Sequence, residues 1–202
     1  MGRKIDIDFY RRDDVVQIAS ELIGKDLYTA IEGKLCGGTI IETEAYRGPE
    51  DRGSHAYNNR RTPSNEMMYS AGGKVYMYIC YGIHDMFNIV TGSAGSSHAI
   101  LIRAVEPHTG IKYMHERRNI FNDDRNLCRG PGSLSKAMGL NKTHNGTDIQ
   151  SDIIWIEDSG NCYSTDQIKA SARIGMNFEG LYKTIPWRFY VKGNRYVSRS
   201  FN

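Results

Sequence analysis

The sequence predicts a single mixed α+β domain: a curved, mainly antiparallel sheet, helices around it, and a protruding β-hairpin over residues 74–88. Three observations carry this. The 202 residues are 40% apolar, which suits one domain with its own core. Strand-like runs are joined by tight turns at Glu32-Gly33-Lys34 and Tyr81-Gly82, the connection used by antiparallel neighbours. No internal repeat, heptad run or linker divides the chain, so residues 1–202 read as one unit.

In chain order, residues 8–24 predict a helix. Asp13-Asp14 can cap its start, Val15, Val16, Ile18, Ala19, Leu22 and Ile23 recur near the helical period, and Gly24 is a stop. Residues 26–31 and 35–43 predict a hairpin. Residues 47–73 are rich in Gly, Pro and Asn, and so long a loop in a compact domain is usually functional. Residues 75–80 (VYMYIC) predict a strand, with Tyr76 and Tyr78 on one face and Met77 and Ile79 on the other. Tyr81-Gly82 is a turn, and residues 86–91 return. Residues 98–105 (HAILIRAV) read as a buried strand interrupted by Arg103. Residues 109–118 read as a helix. Residues 129–138 (RGPGSLSKAM) read as a loop entering a helix, with Ser133 as an N-cap whose turn could hold a phosphate. Residues 153–157, 172–175 and 187–192 read as strands or extended ends. Arg188, Lys192, Arg195 and Arg199 give the C-terminal stretch a basic bias.

Bulk properties exclude several classes. A net charge of +3 and a pI near 8.6 are compatible with a polyanion partner without requiring one. No stretch is apolar and long enough to span a membrane. The N-terminal MGRKIDIDFYRRDD lacks a signal-peptide core, so an intracellular protein is expected. Cys36, Cys80, Cys128 and Cys162 are widely separated with no CxxC or CxxH spacing. Free thiols are therefore expected, with no zinc site or disulfide frame.

The chemistry concentrates in IIETEAYRGPEDRGSHA, residues 40–56. Strand alternation puts Glu42, Glu44 and Tyr46 on one face, and His55 follows the Gly-Pro turn. Two carboxylates, an aromatic ring and an imidazole are parts for acid–base work and for gripping a flat ligand. Arg103 needs a carboxylate partner if buried, and Glu42 or Glu44 is the candidate. A tyrosine at a hairpin tip, Tyr81, has the shape of a wedge that could enter a nucleic-acid groove. The ordinary alternatives are a solvated strand face, a structural salt bridge and core tyrosines. Alternation alone does not say which glutamate would be a base.

The run IIETEAYRGPEDRGSHA, then RRTPSN, VYMYICYGIHDMFNI, ILIRAVEP, GPGSLSKAMGL, ARIG and PWRFYVKGNRYVS resembles the alkyladenine (3-methyladenine) DNA glycosylase family across residues 8–198. The resemblance implies a bacterial-type base-excision repair enzyme. It would flip alkylated or deaminated purines from duplex DNA and hydrolyse the N-glycosidic bond. Candidate substrates are 3-methyladenine, 7-methylguanine, hypoxanthine and ethenoadenine. By resemblance, Glu44 is the general base and Arg103 helps hold the attacking water. Tyr46, His55 and Tyr78 stack around the base, and Asn88 guards the pocket against the guanine 2-amino group. Tyr81 fills the gap in the duplex, making the hairpin DNA-inserting.

No lysine lies in this sequence cluster to form a Schiff base, so a monofunctional enzyme leaving an abasic site is expected. It should be a monomer that needs no metal or cofactor. Residues 56–61 (AYNNRR) and Ile83-His84-Asp85 depart from vertebrate members and leave the damage spectrum open. Two other readings compete: a silent DNA- or RNA-binding protein that keeps the wedge, and a hydrolase with a metal on Glu42 and Glu44.

Overall fold

The computed structural model describes residues 2–198. Nine strands form its sheet. In chain order they are β1 (Arg3–Lys4), β2 (Asp26–Ile31), β3 (Lys34–Arg47), β4 (Val75–Cys80), β5 (His84–Thr91), β6 (His98–Thr109), β7 (Ile154–Asp158), β8 (Ile168–Ser171) and β9 (Arg188–Val191). The main order is β1-β7-β2-β3-β6-β5-β4, while β9 pairs with β3 and carries β8. Every described strand pairing is antiparallel. The sheet is open and uncurled rather than curved. Its irregularity is local, in register shifts within β3 at Gly37/Gly38, Ile40/Glu42 and Glu42/Thr43.

The helices are α1 (Ile7–Arg11), α2 (Val15–Glu21), α3 (Ile111–Arg118), α4 (Pro131–Met138) and α5 (Leu181–Thr184). The helix expected over 8–24 is thus two. Arg12 is extended, and the Asp14 side chain accepts from the Gln17 N–H 3.0 Å away to start α2 afresh. Its apolar face, Val15, Ile18, Ala19 and Leu22, is fully buried. The Thr43 hydroxyl donates to Ala19 O at 2.8 Å, which fixes α2 against β3.

The β2–β3 turn needs only Glu32-Gly33, both at positive φ, and Lys34 already pairs with Ile31. Ser133 is not an N-cap. Gly130 occupies that position with Pro131 following at N1, where a missing N–H costs nothing. Residues 172–175 lie in no strand; β8 ends at Ser171. Arg199 lies outside the described residues. Arg188 is fully buried and belongs to the interior, not to a basic surface.

The main core lies between α2, α3, α4 and the sheet, and includes Ile18, Leu22, Ile40, Met77, Phe87, Ile89 and Ile100. A satellite cluster of Ala56, Met68, Tyr76, Val90 and Ala99 sits beneath the 47–73 loop. No described helix is long and apolar enough to cross a membrane.

Candidate active site

β3 is flanked on both sides where it carries its acidic residues. β6 runs along one edge, and β9 pairs Glu42 with Tyr190 and Glu44 with Arg188 on the other. Glu42 and Glu44 are fully buried, and Arg103 is 7% exposed. Buried charges need partners, and both glutamates have them. Glu42 Oε1 accepts from Arg103 Nε, Arg188 Nε and Ser198 Oγ, each at 2.8 Å, and its Oε2 accepts from the Ser198 N–H at 2.7 Å. Burial pushes the Glu42 carboxyl up, but Arg103, Arg188 and the Ser198 N–H outweigh it and leave the pKa below the usual value.

Glu44 is held differently. Its Oε2 accepts from Tyr46 OH at 2.8 Å and Arg103 Nη1 at 3.2 Å, and its Oε1 accepts from the Ile174 N–H at 2.8 Å. Burial raises the Tyr46 pKa well above its ordinary value, and Glu44 and Tyr78 add to this, so the phenol stays a donor. Arg103 fills the space between the carboxylates, so a cation there would have to displace a guanidinium.

Tyr46, Gly53, His55, Met68, Tyr76, Tyr78, Asn88 and Ala99 line a cavity of about 20 Å³, room for one water. The cavity adjoins a groove of about 560 Å³ whose walls include His55, Arg60, Tyr78, Tyr81 and Lys142. The His55 and Tyr78 rings meet edge to face with centroids 4.5 Å apart. Tyr76 OH lies 2.8 Å from His55 Nδ1. Burial raises the Tyr76 pKa, so the phenol keeps its proton beside the His55 ring. Although His55 is exposed overall, desolvation of its ring, with Arg60 and Lys142 nearby, lowers its pKa. Asn88 is buried, and its Nδ2 donates to Tyr76 O and Met86 O at 3.2 and 3.1 Å.

A larger cavity, about 700 Å³, lies elsewhere, between Ile83-His84-Asp85, α3 and α4. None of its lining residues bonds Glu42 or Glu44, whereas Tyr46 in the wall of the small aromatic pocket donates to Glu44, so the candidate site is that pocket beside the ion pairs.

The model of the methylpurine-DNA glycosylase family matches residues 8–195. The chain belongs to this family. A Chlamydia felis relative named "Putative 3-methyladenine DNA glycosylase" is 45% identical, covering 91% of this chain and 93% of its own. Relatives with the same name from Natranaerobius thermophilus and Clostridium acetobutylicum are 42% and 40% identical. They cover 96% and 95% of this chain and 98% and 95% of their own.

Within this family member, Tyr46, His55, Tyr78 and Asn88 meet in one pocket, and Tyr46 links it to Glu44 and Arg103. Tyr81 stands apart on the β4–β5 turn, 85% exposed. Sequence reasoning missed four partners: Arg188 and Ser198 on Glu42, the Ile174 N–H on Glu44, and Tyr76 on His55. It also missed Lys142, whose Nζ donates to Met77 O while lining the outer groove. ARIG and GPED were visible as motifs, yet nothing local shows that Arg173 and Asp51 meet. Of the adjacent arginines, Arg61 is paired with Glu66 and Arg60 lines the groove. Among the described residues no three His, Cys, Asp or Glu side chains gather to hold a metal.

Proposed function

We propose that this protein is a monofunctional DNA glycosylase acting on alkylated or deaminated purines in duplex DNA. Candidate substrates are 3-methyladenine, 7-methylguanine, hypoxanthine and ethenoadenine. The observation that carries the reading is Glu44: a buried carboxylate held by three donors, joined through Tyr46 to an aromatic pocket in a chain of this family.

A base stacked in a duplex hides its sugar carbon, so it must be extruded before attack. Tyr81, exposed at the hairpin turn, takes the base's place in the stack and makes the hairpin the DNA-inserting element. The cavity is too small for a purine, so entry requires the Tyr78 and His55 rings to part. Tyr46 and Tyr78 then offer π faces, which attract electron-poor alkylated bases. Asn88 sits where a purine's edge is read.

A water attacks C1′. Glu44 takes its proton, the bond from C1′ to the base breaks, and the base leaves with the electron pair. Arg103 orients Glu44 and the water. An abasic site remains. No lysine lines the inner cavity, and Lys142 in the outer groove is engaged with a backbone carbonyl. The protein acts as a monomer on its DNA.

Duplex carrying one hypoxanthine or one alkylated adenine tests this in EDTA, with and without alkali and with borohydride. Free base, strand breaks only after alkali, and no trapped adduct are expected. A borohydride adduct lost in Lys142→Ala would replace the hydrolytic reading with a Schiff-base one. Tight DNA binding without base release from any lesion would favour a silent binder.

A further inference from the structure

Arg173 is the most heavily used buried cation outside the Glu42–Arg103 network. Its side chain is fully buried. Nη2 donates to Asp51 Oδ1 at 2.7 Å and to Tyr182 O at 3.0 Å. Nη1 donates to Ala45 O at 3.0 Å and also meets Asp51 Oδ2. Asp51 in turn caps the loop after β3 by accepting from the Gly53 and Arg47 N–H groups at 2.8 and 3.2 Å. This one ion pair therefore ties the loop that carries Gly53 and His55 to the segment that carries Ile174.

Two further contacts connect Arg173 to the site. The guanidinium lies 4.6 Å from the Tyr46 ring centroid, and Tyr46 lines the base cavity while Arg173 does not. A side-chain carbon added at Gly53, also in the cavity wall, would come within 2.9 Å of Arg173 Nη2. Arg173 thus stands immediately behind the wall. The residue after it, Ile174, gives Glu44 its backbone donor.

We propose that Arg173, pinned by Asp51, is a positioning residue that sets the Tyr46 platform and the Glu44 carboxylate, and that its charge biases the pocket toward neutral over cationic bases. The inference rests on the glycosylase reading above. A cation on one side of an aromatic ring draws on the same π density that a cationic base would use. Fixing the carboxylate matters because an ångström of misplacement costs orders of magnitude in rate.

The test compares the wild type with Arg173→Lys and with Arg173→Met combined with Asp51→Asn, which leaves no lone buried charge. Single-turnover release of 7-methylguanine (cationic) and hypoxanthine (neutral) is measured at saturating protein. Affinity is measured for a duplex holding a tetrahydrofuran abasic analogue, which has no base to stack. The double variant should release hypoxanthine roughly 10- to 100-fold more slowly while binding the abasic duplex as the wild type does. Its ratio of cationic to neutral release should rise by at least about twofold. Arg173→Lys, which keeps the charge but not the fork, should slow release without raising that ratio. Wild-type rates in the double variant, an unchanged ratio, or abasic-duplex binding lost in step with activity would overturn the proposal. So would a failure of both variants to fold, which would assign the pair to stability alone. A wild type that releases no base would instead refute the function reading.

Discussion

The ion-pair centre of β3 and the tip of the β4–β5 hairpin obey opposite rules. At the centre, Glu42, Glu44 and Arg188 are fully buried, and each glutamate accepts at least three hydrogen bonds. At the tip, Tyr81 and Ile83 are 85% and 73% exposed, and nothing lies within 4 Å of a carbon added at Gly82. Tyr81 and Gly82 both take positive φ, the geometry of a tight hairpin turn. The strands below are anchored: Val75, Met77, Phe87 and Ile89 are fully buried. A rigid base thus presents an unsupported apolar tip. The proposed chemistry would need side chains fixed by many partners, whereas the proposed wedge would need a firm mount and a free end.

The sharpest way to break this contrast is Glu44→Gln. It keeps the shape and removes the proposed base, so release should fall at least about 100-fold in a single-turnover assay, with binding to lesion-bearing duplex retained. Retained excision would remove Glu44 from its role. Glu42→Gln should act on the fold instead. It leaves Arg103 and Arg188 short of a buried charge, and breaking such a pair costs about 3–5 kcal/mol. Thermal unfolding should therefore drop by on the order of 10 °C. If Glu42→Gln unfolds like the wild type yet stops release, the two glutamates exchange roles.

At the tip, Tyr81→Ala should leave thermal unfolding within about 2 °C of the wild type, as for other exposed sites. Affinity for lesion-bearing duplex should weaken about tenfold, from a lost stacking contact of about 1–3 kcal/mol. A large stability loss would show that the tip is structural after all.

The smallest effect concerns pH. Burial holds the His55 and His98 pKa values below the ordinary one. Below about pH 6.5 the unfolded chain takes up protons there that the folded chain refuses, so stability falls as pH drops through that value. Unfolding should occur at a lower temperature at about pH 5.5 than at about pH 7.5, and His55→Gln should flatten the dependence. An unchanged slope in that variant would contradict a neutral His55.

Much of this was legible in the chain. The alternation of Glu42, Glu44 and Tyr46 is a local consequence of strand geometry, and so is the placing of Tyr76 and Tyr78 on one face. The turns at Glu32-Gly33 and Tyr81-Gly82 are signalled by their glycines, which accept positive φ, although Glu32 and Tyr81 take it too. Arg103, a charge inside an apolar run, announced a buried partner, and the structure supplies both candidates. Where sequence reading failed, a local signal competed with a stronger one. The stripe over 8–24 hid the break at Arg12 because its apolar residues, Val15 to Ile23, all lie after the break, while α1 buries only Tyr10. Ser133 looked like a cap because serine commonly is one, but Gly130-Pro131 starts the helix first.

Sequence by itself determined the composition of the site: which carboxylates, rings and cations exist, and which of them share a strand face. Only the tertiary structure decided how each is held. Glu44 receives its backbone donor from Ile174, Glu42 receives Arg188 and Ser198, and Asp51 meets Arg173, all more than a hundred residues away in the chain. Those meetings depend on β9 pairing with β3 and on the loops that β8 and β9 bring with them. Strand alternation repeats every two residues and is written locally. The partner across a sheet is chosen by the packing of the whole core.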